Sequence, residues 1–270
     1  MGIGYTTIMY DTTAIEEAMN DVAACRYGGI EIGLEKVRAN GATSIRNWLD
    51  EYGLDLYLVM SEWVTDEAAV DRITSDIEMA AETGAEGFGI LPPQRHWYDD
   101  DTVAQWLGTI ADATASAGMT PLVHHHGATA VEQPSEIQRY LDSSDDLQLL
   151  FDTAHYFPYG EHYPDGDVTD GIERFADDIG YVHLKDIAPA STFSENRDAL
   201  TEGNFHLDNI LNYFRSFTDL GEGVIDFSAV ESSLRSHGYD GHYTIEVEDQ
   251  TEQPLVHAKQ NIDHWRTVTE

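Results

Sequence analysis

Eight short runs of β-type character alternate with longer segments of helical period along these 270 residues. No other feature limits the possible folds as tightly. The runs are IGYTTIMY at 3–10, GGIEIG at 28–33, LDLYLVM at 54–60, AEGFGIL at 85–91, MTPLVHH at 119–125, LQLLFD at 147–152, YVHLKD ending at 186, and YTIEVE at 243–248. After the fourth run, Val103, Trp106, Leu107 and Ile110 recur at i, i+3, i+4 and i+7, which builds one apolar helix face. Gly84 and Gly118 stand between a helical pattern and a strand, where a left-handed residue closes a helix. Eight strand–helix alternations over this length predict an α/β fold, a (β/α)8 TIM barrel occupying 1–270 as a single domain. A doubly wound open sheet is the alternative, but no G-x-G-x-x-G follows the first strand. The polar stretch APASTFSENRDALTEGNFHLDN between the last two strands is expected to be a lid or partner-contacting loop over the catalytic face.

Charge narrows the partners. Fourteen Lys and Arg face fifty Asp and Glu, a net charge of −36 that repels a phosphate backbone. Nucleic acid is therefore not expected as a partner. An acidic surface so poor in lysine predicts adaptation to high salt, where self-repulsion is screened. The single Cys25 rules out an intramolecular disulfide and a cysteine zinc site, and its apolar helical setting predicts a buried thiol. No signal-peptide pattern and no membrane-length apolar run occur, so a cytoplasmic protein without membrane contact is expected.

In a barrel of this kind, reactive side chains gather at the C-terminal ends of the strands. Four strand ends here are ionisable. The fifth ends in His124, His125 and His126, followed by Glu132; the sixth in Asp152, with His155 three residues on. The seventh carries His183, Lys185 and Asp186, and the eighth Glu246 and Glu248. Alternation puts His124 and His126 on one face and His125 on the other, while Gly127 lets the chain turn so that Glu132 returns to the mouth. A lysine sharing the inner face with His183 needs a carboxylate or a substrate to offset its burial. Asp152 has a second reading as a helix cap, and Glu248 reads as rim rather than site. A set of Glu, Asp, His and Glu suits a divalent cation, with Mn²⁺ preferred and Mg²⁺, Co²⁺ or Zn²⁺ as alternatives.

HHHGATAVE, LLFDTAHYF, YVHLKD, LGEGVIDF and GYDGHYTIEVE, in this order, resemble the xylose isomerase-like TIM-barrel superfamily of sugar isomerases and epimerases, and most closely its inosose dehydratase-like branch. The resemblance covers most of the chain and is best over 119–249. It implies a metal held by Asp152, His183 and Glu246, with Glu132 as fourth ligand or, alternatively, one of His124 and His126. It further implies proton transfer by Glu132, Glu246 and His126, and substrate contacts from His124, His155 and Lys185. The implied activity is removal of a proton α to a carbonyl of a sugar or cyclitol, ending in isomerisation, epimerisation or dehydration. A histidine that protonates a departing hydroxyl tips the choice toward dehydration. No arginine cluster or glycine-rich loop marks a phosphate site, so the substrate is read as unphosphorylated. The alternatives are an abasic-site endonuclease, for which no Asp-x-His pair follows the seventh strand, and a non-catalytic barrel that keeps the site. A homo-oligomer remains open.

Overall fold

The computed structural model describes residues 2–248 and 253–269. Its strands are β1 (Ile3–Thr6), β2 (Gly29–Gly33), β3 (Asp55–Trp63), β4 (Gly87–Leu91), β5 (Thr120–His124), β6 (Gln148–Asp152), β7 (Ile179–Leu184), β8 (Asp186–Ile187), β9 (Phe217–Thr218) and β10 (Tyr243–Ile245). Eight of them close into a barrel in the order β1-β10-β7-β6-β5-β4-β3-β2, and every neighbouring pair runs parallel. All eight expected strands are therefore present, and the fold is a TIM barrel covering the chain. Strands and helices meet in one apolar layer that includes Ile30, Val59, Phe88, Val123, Leu149 and Ile245. Cys25 is buried there, and its burial raises the thiol pKa.

Local signals account for the element ends. Asp66 and Asp99 cap helices Glu67–Ala81 and Asp100–Ser116 by accepting from Ala69 N and Thr102 N. Gly84 and Gly118 adopt φ of +88° and +84° after those helices, the conformation that lets the chain turn back into the barrel.

Four segments differ from the sequence reading, one of them the last barrel strand, which ends at Ile245 rather than at residue 248. The first strand ends at Thr6 rather than at residue 10. The YVHLKD run divides: β7 stops at Leu184, and Asp186 leaves the barrel to pair antiparallel with β9. There the buried Asp186 carboxylate accepts hydrogen bonds from the amides of Ile187, Gly221, Gly223 and Ile225, and so fixes the LGEGVIDF turn. A Cβ at Gly223 would collide with Asp186, which is why a glycine stands there. The stretch expected as a loop instead forms helices Phe193–Thr201 and Leu207–Phe214. Phe193 and Tyr213 are buried with their rings stacked 5.2 Å apart, so the apolar residues scattered through the polar stretch give it a core of its own.

Candidate metal centre

Register brings the chemistry together. On β5, β6 and β7, His124, Asp152 and His183 share the barrel-facing side with Leu122, Leu150 and Tyr181 two residues earlier. Asp152 pairs with His183 across β6 and β7, and His183 pairs with Thr244 on β10, so Glu246 emerges beside it. His124, Asp152, His183 and Glu246 each present one ligand atom, all within 4.8 Å of one another, and all four residues are buried. Among the described residues this is the only such group.

The spacings fit one cation. His124 Nε2 lies 3.2 Å from His183 Nδ1 and 3.7 Å from Asp152 Oδ2. His183 Nδ1 lies 3.9 Å from Asp152 Oδ2 and 3.1 Å from Glu246 Oε2. Donors about 2.0–2.2 Å from a shared ion are separated by distances of this order. Asp152 meets its capping reading, since Oδ1 accepts from Ala154 N and His155 N, while the fully buried Oδ2 has no hydrogen-bond partner. An orphan carboxylate oxygen aimed between two imidazoles suits a metal.

Tautomers follow from the partners. Glu31 Oε2 lies 2.7 Å from His183 Nε2, so that nitrogen donates and, in the neutral ring, Nδ1 turns its lone pair to the centre. His125 points away: its Nε2 accepts from Asp152 N, and its ring packs on Phe151 and Tyr156 in the helical layer. His126 Nδ1 donates to Gly127 O, which leaves Nε2 as an acceptor. His155 Nδ1 accepts from Gly127 N, so its Nε2 carries the proton, 3.5 Å from Lys185 Nζ.

Lys185 is the central cation. Its Nζ sits 2.7 Å from Glu246 Oε2, 3.0 Å from Glu248 Oε1 and 3.5 Å from Asp152 Oδ2, above the ring of Phe217. Burial works against that charge, but Glu246, Glu248 and Asp152 outweigh it and hold the amine protonated well beyond its usual range. Glu246 is likewise opposed by burial, yet Lys185 and His183 keep it ionised well below the ordinary carboxylate range. Burial raises Asp152 to about 6, with Glu246 adding to the effect. For His183, burial is overcome by Glu31 and Glu246, and the pKa rises to about 10. Burial, reinforced by Lys185, lowers His126 to about 3 and leaves it neutral.

Glu132 lies outside the group. Its Oε2 takes Arg95 Nε at 3.1 Å and its Oε1 takes Tyr159 Oη at 2.5 Å, while Arg95 also clamps Glu136. Both oxygens are committed to this network, and His124 holds the position expected of Glu132. The turn differs too: the left-handed residue is Ala128, at φ +68°, and Gly127 is there because Tyr213 leaves no room for a Cβ. Glu248, expected at the rim, lines the cavity.

Sequence reasoning missed Glu31, Lys36, Arg95 and Trp63. A lone carboxylate inside the five-residue apolar strand GIEIG was the available signal for Glu31. The centre opens into a cavity of about 220 Å³ whose walls include Thr6, Glu31, Lys36, Ser61, Trp63 and Glu248.

The family described as Xylose isomerase-like TIM barrel matches residues 19–268. Inosose dehydratase of Lacticaseibacillus casei is 27% identical over 256 residues, spanning 86% of this chain and 82% of that protein. Among solved structures, an Escherichia coli 3-keto-D-glucoside 4-epimerase superposes with a TM-score of 0.74 at 18% identity, covering 99% of both chains. A probable 3-DHS dehydratase of Bacillus anthracis gives 0.74 at 14% identity, over 100% of this chain and 99% of that one.

Proposed function

The chain belongs to the xylose isomerase-like TIM-barrel family, and from that premise we propose that it is a divalent-metal-dependent enzyme acting on an unphosphorylated sugar or cyclitol. The reaction removes a proton α to a carbonyl, with dehydration in the manner of inosose dehydratase as the preferred outcome. One observation carries the reading: four buried donors converge at the barrel mouth, one of them an oxygen that makes no hydrogen bond. The inosose dehydratase and epimerase names among similar proteins support the substrate class. Salt adaptation and a cytoplasmic setting belong to the same proposal and rest on the −36 charge and the lack of any described helix long and apolar enough to cross a membrane.

His124, Asp152, His183 and Glu246 would hold the ion. With His124 in place of Glu132 the donors are two imidazoles and two carboxylates, which keeps Mn²⁺, Co²⁺ and Zn²⁺ in the set and disfavours Mg²⁺. Mn²⁺ remains our assignment. A bound divalent ion supplies Lewis acidity that polarises the carbonyl and steadies charge on its oxygen. His126, neutral and with Nε2 free to accept, takes the α-proton. The C–H electron pair becomes the new double bond, and the β-hydroxyl leaves as water with a proton returned by His126. Lys185 stays charged and donates to a substrate oxygen, with His155 Nε2 3.5 Å from its ammonium. Glu132 holds the loop that carries His126, through Arg95 and Tyr159.

Metal analysis after dialysis against Mn²⁺, together with solvent deuterium wash-in at the α-carbon of an inosose followed by NMR, tests this. We expect one ion per chain and exchange that stops when the ion is chelated. Protein that binds no metal, or exchange unaffected by chelation, would overturn it.

A further inference from the structure

A second cavity, of about 260 Å³, adjoins the metal cavity, and the two share Trp63 and His126 as a common wall. Their chemistry differs sharply. The metal cavity offers Glu31, Glu35, Lys36, Ser61 and Glu248, partners for ring hydroxyls. The second is walled by Trp97, Phe205, Ile210 and Phe214 in addition to the shared pair. Trp63 and Trp97 are 42% and 53% exposed, an open aromatic surface that a small polyol confined to the metal cavity leaves unused. Trp63 stands edge-on to His126 at 5.0 Å, and Phe214 lies 5.5 Å from the same imidazole, so the boundary between polar and apolar space is drawn at the side chain we assign to proton transfer.

We propose that the substrate is a sugar-ring compound carrying a flat apolar substituent, an aryl aglycone, with the ring in the metal cavity and the aryl group between Trp63, Trp97, Phe205 and Phe214. The inference rests on the reading that a sugar or cyclitol ring occupies the metal cavity. Adjacency is what selects this occupant: the two cavities meet at Trp63 and His126, so a ring held at the centre lies next to the aromatic walls. Binding pockets of this kind are apolar with a few placed polar groups, and aromatic walls favour flat rings in stacked or edge-on contact. The helix Leu207–Phe214 supplies Ile210 and Phe214 and closes the outer side, which assigns the segment between β8 and β9 to substrate selection.

Calorimetric titration of the full-length Mn²⁺-loaded protein with phenyl and methyl glycosides, each as both anomers, provides the test. We expect one phenyl glycoside to bind at least about tenfold more tightly than its methyl counterpart, the scale of an added aromatic contact. Trp97→Ala and Phe205→Ala should each remove most of that preference while methyl-glycoside affinity and metal content stay near wild type. The methyl glycoside thus serves as the folding control. Equal affinities in the wild type, a preference retained in both variants, or no glycoside binding at all would overturn the proposal. So would a dimer in sedimentation that buries Trp97 and admits phenyl glycoside only on dissociation. Deuterium exchange with an unsubstituted inosose but no aryl preference would remove the apolar subsite and keep the proposed function. Aryl preference without metal-dependent exchange would do the reverse.

Discussion

The inside of the barrel changes character over two residues. Its floor is Tyr57, Leu58, Leu122, Leu150 and Tyr181, a buried apolar cluster separate from the main core. Its mouth is His124, Asp152, His183, Lys185 and Glu246. Leu122 leads to His124, Leu150 to Asp152 and Tyr181 to His183, each pair about 6.6 Å apart along one strand. Of the floor's two phenol tips, Tyr181 Oη pairs with Thr244 Oγ1 at 2.5 Å. The mouth residues are themselves buried, so their charges must satisfy one another or a bound cation. That is the physical source of the raised pKa of Asp152. The same strands therefore do two jobs, and substitutions one turn of the pleat apart should fail in different ways.

The largest effect is expected at the mouth. Asp152→Asn keeps an oxygen for the helix cap but removes the charge aimed at the centre. Metal affinity should fall at least about a hundredfold and turnover at least about a thousandfold, since the ion's charge stabilisation is worth several kcal/mol. Thermal stability without metal should hold or rise, because a buried charge has gone. Full activity in Asp152→Asn would remove the proposed centre. Leu150→Ala breaks the other half: a cavity in the floor should cost about 2–5 kcal/mol in denaturant unfolding, with metal affinity nearly unchanged. Loss of metal in that variant would show that the floor also positions the ligands, and the division between the halves would not stand.

Glu31→Gln sharpens the boundary itself. Glu31 does not reach the centre with the four ligands, yet it fixes His183 through Nε2. Removing its charge should weaken metal binding by about 10–100-fold, as for other carboxylates behind a ligating histidine. An unchanged affinity would mean that His183 is oriented by packing alone.

These contrasts explain what could be read from the chain. Strand positions were legible because alternation is local, and the apolar floor and charged mouth recur with the same period on β5, β6 and β7. Asp152 and His183 stood out as strand-end charges for that reason, and Glu246 by its place at the end of the eighth run. Their grouping as ligands came from the family resemblance. Glu132 was not, because its position depends on Arg95 from the segment after β4 and on Tyr159 after β6, contacts that only the closed barrel creates. Glu31 was hidden the other way round. It is two positions from a strand end and looks like any single charge in a short strand until β2 and β7 face each other across the mouth. The helices at 193–214 were masked by their polar surface, since the few buried rings that hold them are too sparse to give a clear period.

The most gradual expected effect, about tenfold per unit, is a slope with pH. Asp152 must be ionised, and His183 must give up its Nδ1 proton, before both can serve a cation. Asp152 titrates near 6, raised by burial, and His183 near 10, raised by Glu31 and Glu246 against burial. Between these values Asp152 is charged and His183 still carries its extra proton, so each ion bound should release about one proton. Affinity should then rise about tenfold per pH unit, or about 1.4 kcal/mol. Below pH 6 Asp152 also takes up a proton, and the fall in affinity should steepen as pH drops. Calorimetry with Mn²⁺ in two buffers of different ionisation enthalpy counts the protons directly. The floor has no part in this exchange, so Leu150→Ala should keep the slope while Glu31→Gln should shift its upper end downward, toward the ordinary histidine range. A flat affinity from pH 6 to 9, with no dependence on the buffer, would mean that His183 is already neutral in the metal-free mouth and that Lys185 alone balances the carboxylates there.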